Sequence, residues 1–318
     1  MPPGLFSNSY NGTPGKTVSA LEGIKDRLGD AVEVLHEDAS TKNQEEQSKH
    51  YSVKLPDLTQ ADKEVELARN ADAVILCVGT DHRIETEDRD RKSLGLPPEQ
   101  EELAERVLAA NPRTVVVQMS AGPLTVPWLK ENAPAMLQAW WGGEEAGNAL
   151  ADVLFGAVNP AGRLPHTVYA SEAQVPPQDE YDISKGFTYM YVKGEPLFPF
   201  GHGLSYTTFE YSDIQASGNP LKVEATVKNT GTVSGDEVPQ LYLAPPNSAD
   251  IRPKLLLRGF ERLTLKPGES KRVVFNVPDD KLAFWNTSEK RFKVESGKWN
   301  ALVGASSADI RLKAGFTR

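Results

Sequence analysis

The hydrophobic period of this chain changes once along its length, and that change limits what it can fold into. In the first half, short continuous apolar runs stand between segments whose apolar residues recur at helical spacing; beyond Tyr206 apolar and polar residues alternate. The run Ala73 to Val78 is unbroken in apolar character, as a parallel strand buried on both faces requires. It lies in a series: a helix over 18–28 ending at Gly29, a strand over Val32 to Leu35, and a helix from about Thr59 to Arg69 with Asp62 and Glu64 near its start. After the run come a helix over PEQEELAERVLAA, a strand over Thr114 to Met119, a short helix around Pro127 to Glu131, a strand from Ala135 to Trp140 and a helix from Glu144 to Phe155. Strands and helices in alternation predict a layered α/β sandwich with a mostly parallel sheet.

From Asn159 to about Tyr206 the sequence is rich in Pro, Gly and polar residues and reads as a linker. After it, LKVEATVKN, EVPQLYLAP, KLLLRGFERLTL, KRVVFNV, RFKVES and KWNALVGAS alternate between turn residues, the pattern of an all-β sandwich. Trp285 and Trp299 are expected in its core rather than as platforms for sugars. The division is therefore an α/β domain over 1–165, a linker over 166–205 and a β-sandwich over 206–318.

A chain of 318 residues exceeds what one core usually organises, in keeping with two domains. Its formal charge of −9 argues against nucleic acid or an anionic membrane surface as the main partner. No apolar run is long enough to span a bilayer, and the first residues carry no charged leader with an apolar signal core. The single cysteine, Cys77, is expected as a buried strand residue and excludes an internal disulfide framework. The five histidines have no metal-ligand spacing, so neither a metal nor another cofactor is expected.

In open α/β sheets ligands bind beyond the carboxyl ends of the strands, here the loops GTDHRIETEDRDRKS, SAGP and WWGGEE. The first is dense in charge over Asp81 to Lys92. It reads either as a solvated, self-paired loop or as a site in which Glu85 and Glu87 point the same way and divide the roles of acid and carboxylate, as glycoside hydrolysis requires. The glycines before the helix in WWGGEE suit an anion, but neither a dinucleotide fingerprint, a Walker A loop nor a nucleophile elbow occurs.

The strings ADAVILCVGTDHRIETEDRDRKSLGLPPEQEEL, NPRTVVVQMSAGP, AWWGGEEAGNALADVLFGAVNPAGRLPHT and FTYMYVKGEPLFPFGHGLSYTTFEY closely resemble the carboxyl-terminal portion of family-3 glycoside hydrolases, the β-glucosidase and β-xylosidase group. VKNTGTVSGDEVPQLYL, RPKLLLRGFERLTLKPGESKRVVF and WNALVGASS resemble the fibronectin type III-like domain that follows in that family. The resemblance implies a retaining enzyme with its aspartate nucleophile on a separate β/α barrel and its acid/base glutamate on the α/β sandwich. It places the acid/base at Glu85, with Glu87 second, and substrate contacts at His82, Arg83 and Arg91. The implied partners are the barrel domain and an oligosaccharide or aryl glycoside, and the implied compartment of the parent enzyme is the periplasm or the cell exterior. Ser48-Lys49-His50-Tyr51 is similar to a lysine-histidine motif of the barrel but lacks the barrel's surroundings and is read as coincidence. The chain alone is expected to be nearly inactive and to self-associate through an apolar patch near Trp140 and Trp141. The alternative is a non-catalytic module that binds carbohydrate or scaffolds a partner.

Overall fold

The computed structural model describes residues 15–37, 58–81, 84, 85, 87, 90–247 and 251–318, and the chain divides into two compact units, Met1–Val158 and Asn159–Arg318. In the first unit a capping box opens helix α1 (Ala20–Leu28): the Ser19 hydroxyl accepts the Glu22 amide at 3.2 Å, and the Glu22 carboxylate accepts the Ser19 amide at 2.8 Å. There follow α2 (Leu58–Asn70), β1 (Val74–Gly79), α3 (Pro98–Ala110), β2 (Thr114–Met119), α4 (Pro127–Asn132), β3 (Ala135–Gln138) and α5 (Ala146–Leu154). The three strands form one parallel sheet in the order β1, β2, β3, with Ile75 opposite Val115 and Val115 opposite Ala135. The central strand is buried on both faces, as its unbroken apolar sequence demands: Val116 and Val117 have no exposed surface.

Helices α1 and α5 meet through glycines. A Cβ on Gly23 would fall 2.2 Å from the Gly147 carbonyl carbon, and one on Gly147 would fall 2.0 Å from the Ser19 oxygen. The Gly147 amide donates to the Val18 oxygen at 3.0 Å across this contact. Gly23→Ala must push backbone against backbone, so it should cost about 1–3 kcal/mol. Thermal unfolding should show the loss as a lowered midpoint; an unchanged midpoint would remove this contact from the account.

Three local expectations are corrected. Residues Val32 to Leu35 are irregular rather than a strand, with Val32 50% and Leu35 49% exposed, because no described strand pairs with them. Strand β3 stops at Gln138, two residues early, since Trp140 turns into the left-handed region at φ +57° and ends extension. Cys77 is exposed rather than buried, its side chain standing on the face of β1 opposite the buried Leu76 and Val78. The Ser48 to Tyr51 motif lies outside the described residues.

The second unit takes in the segment 166–205 that the sequence suggested as a linker. Val168, Val192 and Leu197 are buried there, and Val168 bridges Phe198 in antiparallel fashion. A short helix α6 (Thr188–Tyr191) presents Tyr189, whose ring stacks on Phe200 at 4.5 Å and meets Tyr242 edge-on at 5.8 Å. Aromatic residues spaced irregularly in sequence supply this packing, which a periodicity argument does not register.

Eleven strands follow, β4 (Phe209–Ser217), β5 (Leu221–Asn229), β6 (Gly235–Glu237), β7 (Gln240–Ala244), β8 (Leu256–Phe260), β9 (Leu263–Leu265), β10 (Ser270–Val277), β11 (Ala283–Asn286), β12 (Arg291–Val294), β13 (Lys298–Gly304) and β14 (Ile310–Thr317). An antiparallel sheet β10-β5-β4 and a second, β14-β13-β7-β8, enclose a core that includes Tyr211, Val223, Leu243, Phe275 and Trp299. Two of the expected strands are each split. EVPQLYLAP gives β6 and β7 in different sheets, with Pro239 between them lacking the amide a ladder needs, and KLLLRGFERLTL gives β8 and β9. Trp299 is buried as expected; Trp285 is 52% exposed on the β11–β12 hairpin, where it faces Phe292 edge-on at 5.4 Å. The chain is thus a layered α/β unit with a parallel sheet followed by an all-β sandwich, and no helix among the described residues is long and apolar enough to cross a membrane.

Candidate active site

The carboxyl ends of β1 and β2 carry a buried polar bracket. Strand β1 ends at Gly79, whose amide donates to Gln100 Oε1 at 2.6 Å while Gln100 Nε2 donates to the Gly79 oxygen at 2.8 Å. The Gln100 amide, held on α3, thereby occupies the outer edge of β1 as a neighbouring strand would. Thr80, 1% exposed, continues the ladder by donating its amide to the Met119 oxygen at 3.0 Å. The Asp81 oxygen then accepts the amides of Ile84 at 2.9 Å and Glu85 at 3.1 Å, a tight turn that sends the Glu85 side chain back toward the sheet.

Glu85 is buried, and its carboxylate is fully engaged. Oε1 accepts from the Thr80 hydroxyl and from the amides of Ala121 at 3.0 Å and Gly122 at 3.4 Å; Oε2 pairs with Arg91 Nε at 3.0 Å. Arg91 also donates from Nη2 to the Pro123 oxygen at 2.8 Å, and its Nη1 is buried without a hydrogen-bond partner among the described residues. Gly122 has no side chain for a reason: a Cβ there would lie 2.9 Å from Arg91 Nη2 and 3.2 Å from Glu85 Oε2. The donors around Glu85 all suit an anion.

Two residues further on, Glu87 is exposed. Of the residues singled out from sequence, Glu85 and Arg91 are brought together and Glu87 stands beside them facing solvent; His82 and Arg83 lie outside the described residues. Sequence reasoning missed Thr80, Gly122, Ser120 and Gln138. The last two stand on the β2 and β3 ends, where Gln138 Nε2 donates to Ser120 Oγ at 3.2 Å and Ser120 Oγ donates to the Gly122 oxygen at 2.7 Å. Their only signal was the place of SAGP after a strand. The WWGGEE loop joins the same edge, with Trp141 Nε1 donating to the Thr80 oxygen at 3.0 Å, while Glu144 ties down the segment before α1 through the amides of Gly15 at 3.0 Å and Val18 at 2.8 Å. Trp140 and Trp141 are both half-buried. Among the described residues no cluster of three or more His, Cys, Asp or Glu side chains could hold a metal ion.

A layered α/β unit with a parallel sheet, followed by an antiparallel sandwich, is here the domain pair of one class of protein, the glycosyl hydrolases. The chain belongs to glycosyl hydrolase family 3, whose C-terminal domain matches residues 4–206, and a fibronectin type III-like domain matches residues 237–307. It is 37% identical over 321 residues to a β-xylosidase of Formosa agariphila, covering 96% of this chain and 42% of that one. It is 36% identical over 327 residues to the thermostable β-glucosidase B of Acetivibrio thermocellus, again 96% of this chain and 42% of the relative. Among solved structures the family-3 β-glucosidase of Bifidobacterium adolescentis superposes with a TM-score of 0.86 at 33% identity, over 96% of this chain and 46% of its own. The chain therefore spans less than half the length of these relatives.

Proposed function

We propose that this chain is the proton-transfer part of a retaining β-glycosidase acting on terminal β-linked glucosides or xylosides, with Glu87 as the acid/base and Glu85 as the anchor of its loop. The observation that carries this reading is the contrast between the two carboxylates. Glu85 is locked by Thr80, Ala121, Gly122 and Arg91, whereas Glu87, on the same turn, is open to an incoming ligand. The relatives named as β-glucosidase and β-xylosidase support the substrate class.

The nucleophile would come from the β/α barrel that the family resemblance implies. As the Glu87 carboxylic acid passes its proton to the glycosidic oxygen, the bond from that oxygen to the anomeric carbon breaks, and an aspartate carboxylate of the barrel bonds to the same carbon. A water oxygen then attacks that carbon, its proton goes to the Glu87 carboxylate, and the aspartate leaves. A retaining pair must stand roughly 5–5.5 Å apart, so the barrel has to dock with its aspartate opposite Glu87.

The test is to assay alkyl and aryl β-glucosides and β-xylosides with this chain alone, with a family-3 barrel alone and with the two mixed. Activity is expected only in the mixture. Inactivity of a mixture whose complex is demonstrated by sedimentation would overturn the reading and leave a non-catalytic module.

A further inference from the structure

We infer that Trp141 and Thr80 are positioning residues for the proton-transfer loop, an inference that rests on Glu87 being the acid/base. Thr80 is the point where three loops meet. Its amide is taken by Met119 of β2, its hydroxyl donates to Glu85 in the acidic loop, and its carbonyl accepts the Trp141 indole N–H of the β3–α5 loop at 3.0 Å. A half-buried tryptophan at a sheet edge could satisfy its N–H with water; this one is directed at a backbone carbonyl 61 residues away in sequence.

The backbone before it is bent to make that bond. Trp140 holds φ at +57°, a region that few side chains other than Asn and Asp occupy, and one that local sequence preference does not favour. After it the chain turns tightly into α5: a Cβ on Gly142 would lie 2.4 Å from the Ala146 Cβ. An unfavourable conformation persists only where its surroundings over-determine it, and here the contact it secures is the one to Thr80. The hydrogen bonds then run in series from Trp141 to Thr80, to Glu85, and to the Ala121 and Gly122 amides. Glu87 stands two residues beyond Glu85 in sequence, so what fixes Glu85 limits how far Glu87 can stray.

Two measurements on Trp141→Phe, which keeps a ring and loses the donor, separate this inference from the functional reading beneath it. In the chain alone, the Ala121 and Gly122 amides should exchange with solvent on the order of tenfold faster, while amides of the β4–β14 sandwich are unchanged. Thr80→Val should do the same and Thr80→Ser should not; should Trp141→Phe fail to fold, these two carry the test. In the mixture with a barrel, Trp141→Phe should lower kcat/KM on alkyl glycosides on the order of tenfold, yet spare kcat/KM on dinitrophenyl glycosides, whose departure in the first step needs no proton. A loss that is equal for all leaving groups, or unchanged exchange at Ala121 and Gly122, would overturn the positioning role. A Glu87→Gln variant that keeps full activity would instead overturn the functional reading and leave the exchange result standing.

Discussion

Glu87→Gln, assayed in the mixture with a barrel, lowers kcat on alkyl β-glucosides by roughly 10²–10⁴-fold, the usual contribution of a positioned general acid. The loss should shrink as the leaving group becomes more acidic, because a dinitrophenolate departs without protonation. For that substrate the second step, in which Glu87 accepts the proton of water, becomes limiting, so a glycosyl-enzyme should accumulate and a burst of dinitrophenolate should appear. Glu85→Gln is the control that decides between the two carboxylates. Glutamine keeps the shape of Glu85 but sets an amide N–H against Arg91, so it should weaken folding and depress all substrates alike. A leaving-group dependence that follows Glu85→Gln instead of Glu87→Gln would reverse the assignment.

The reason that residue type alone could not make this choice is instructive. Both glutamates sit in one charged loop with the same alternation, and sequence places either of them at the sheet edge. What separates them is a set of contacts from other parts of the chain: Thr80 five residues before, and Ala121 and Gly122 some 36 residues after. Hydrogen bonds between loops carry no periodicity, so the bracket was invisible while the strands that support it were plain. Apolar runs marked β1 and β2 because burial on both faces leaves no polar position in them. Alternation marked β5 and β10 for the complementary reason, one face of each being turned to solvent. Periodicity carries no mark of a strand interrupted by a change of sheet, as at Pro239, nor of burial that depends on a neighbour. Cys77 looks like a core residue by composition yet stands on the face of β1 opposite the buried Leu76 and Val78; Trp285 looks the same and stands on a hairpin. Segment 166–205 reads as a connection by its Pro and Gly content, yet Tyr189, Phe200 and Val168 pack it into the second unit.

Arg91→Met should destabilise the α/β unit by roughly 3–5 kcal/mol, the cost of leaving one member of a buried ion pair without its partner. The Arg91 and Glu85 side chains are only 10% and 12% exposed, so water cannot replace the guanidinium. Three donors would remain on Oε1, but Oε2 would face the methionine side chain with no donor. The lower end of the range is the better expectation, because Arg91 Nη1 is itself buried without a hydrogen-bond partner among the described residues, and its removal relieves part of the loss. Urea unfolding should resolve the change, and the double variant Glu85→Gln, Arg91→Met should recover part of it, since a neutral amide no longer demands a cation. A cost below about 1 kcal/mol would be that of a surface pair and would mean that the bracket opens readily. An open bracket could not hold Glu87 still enough for proton transfer, so this stability measurement bears directly on the catalytic assignment.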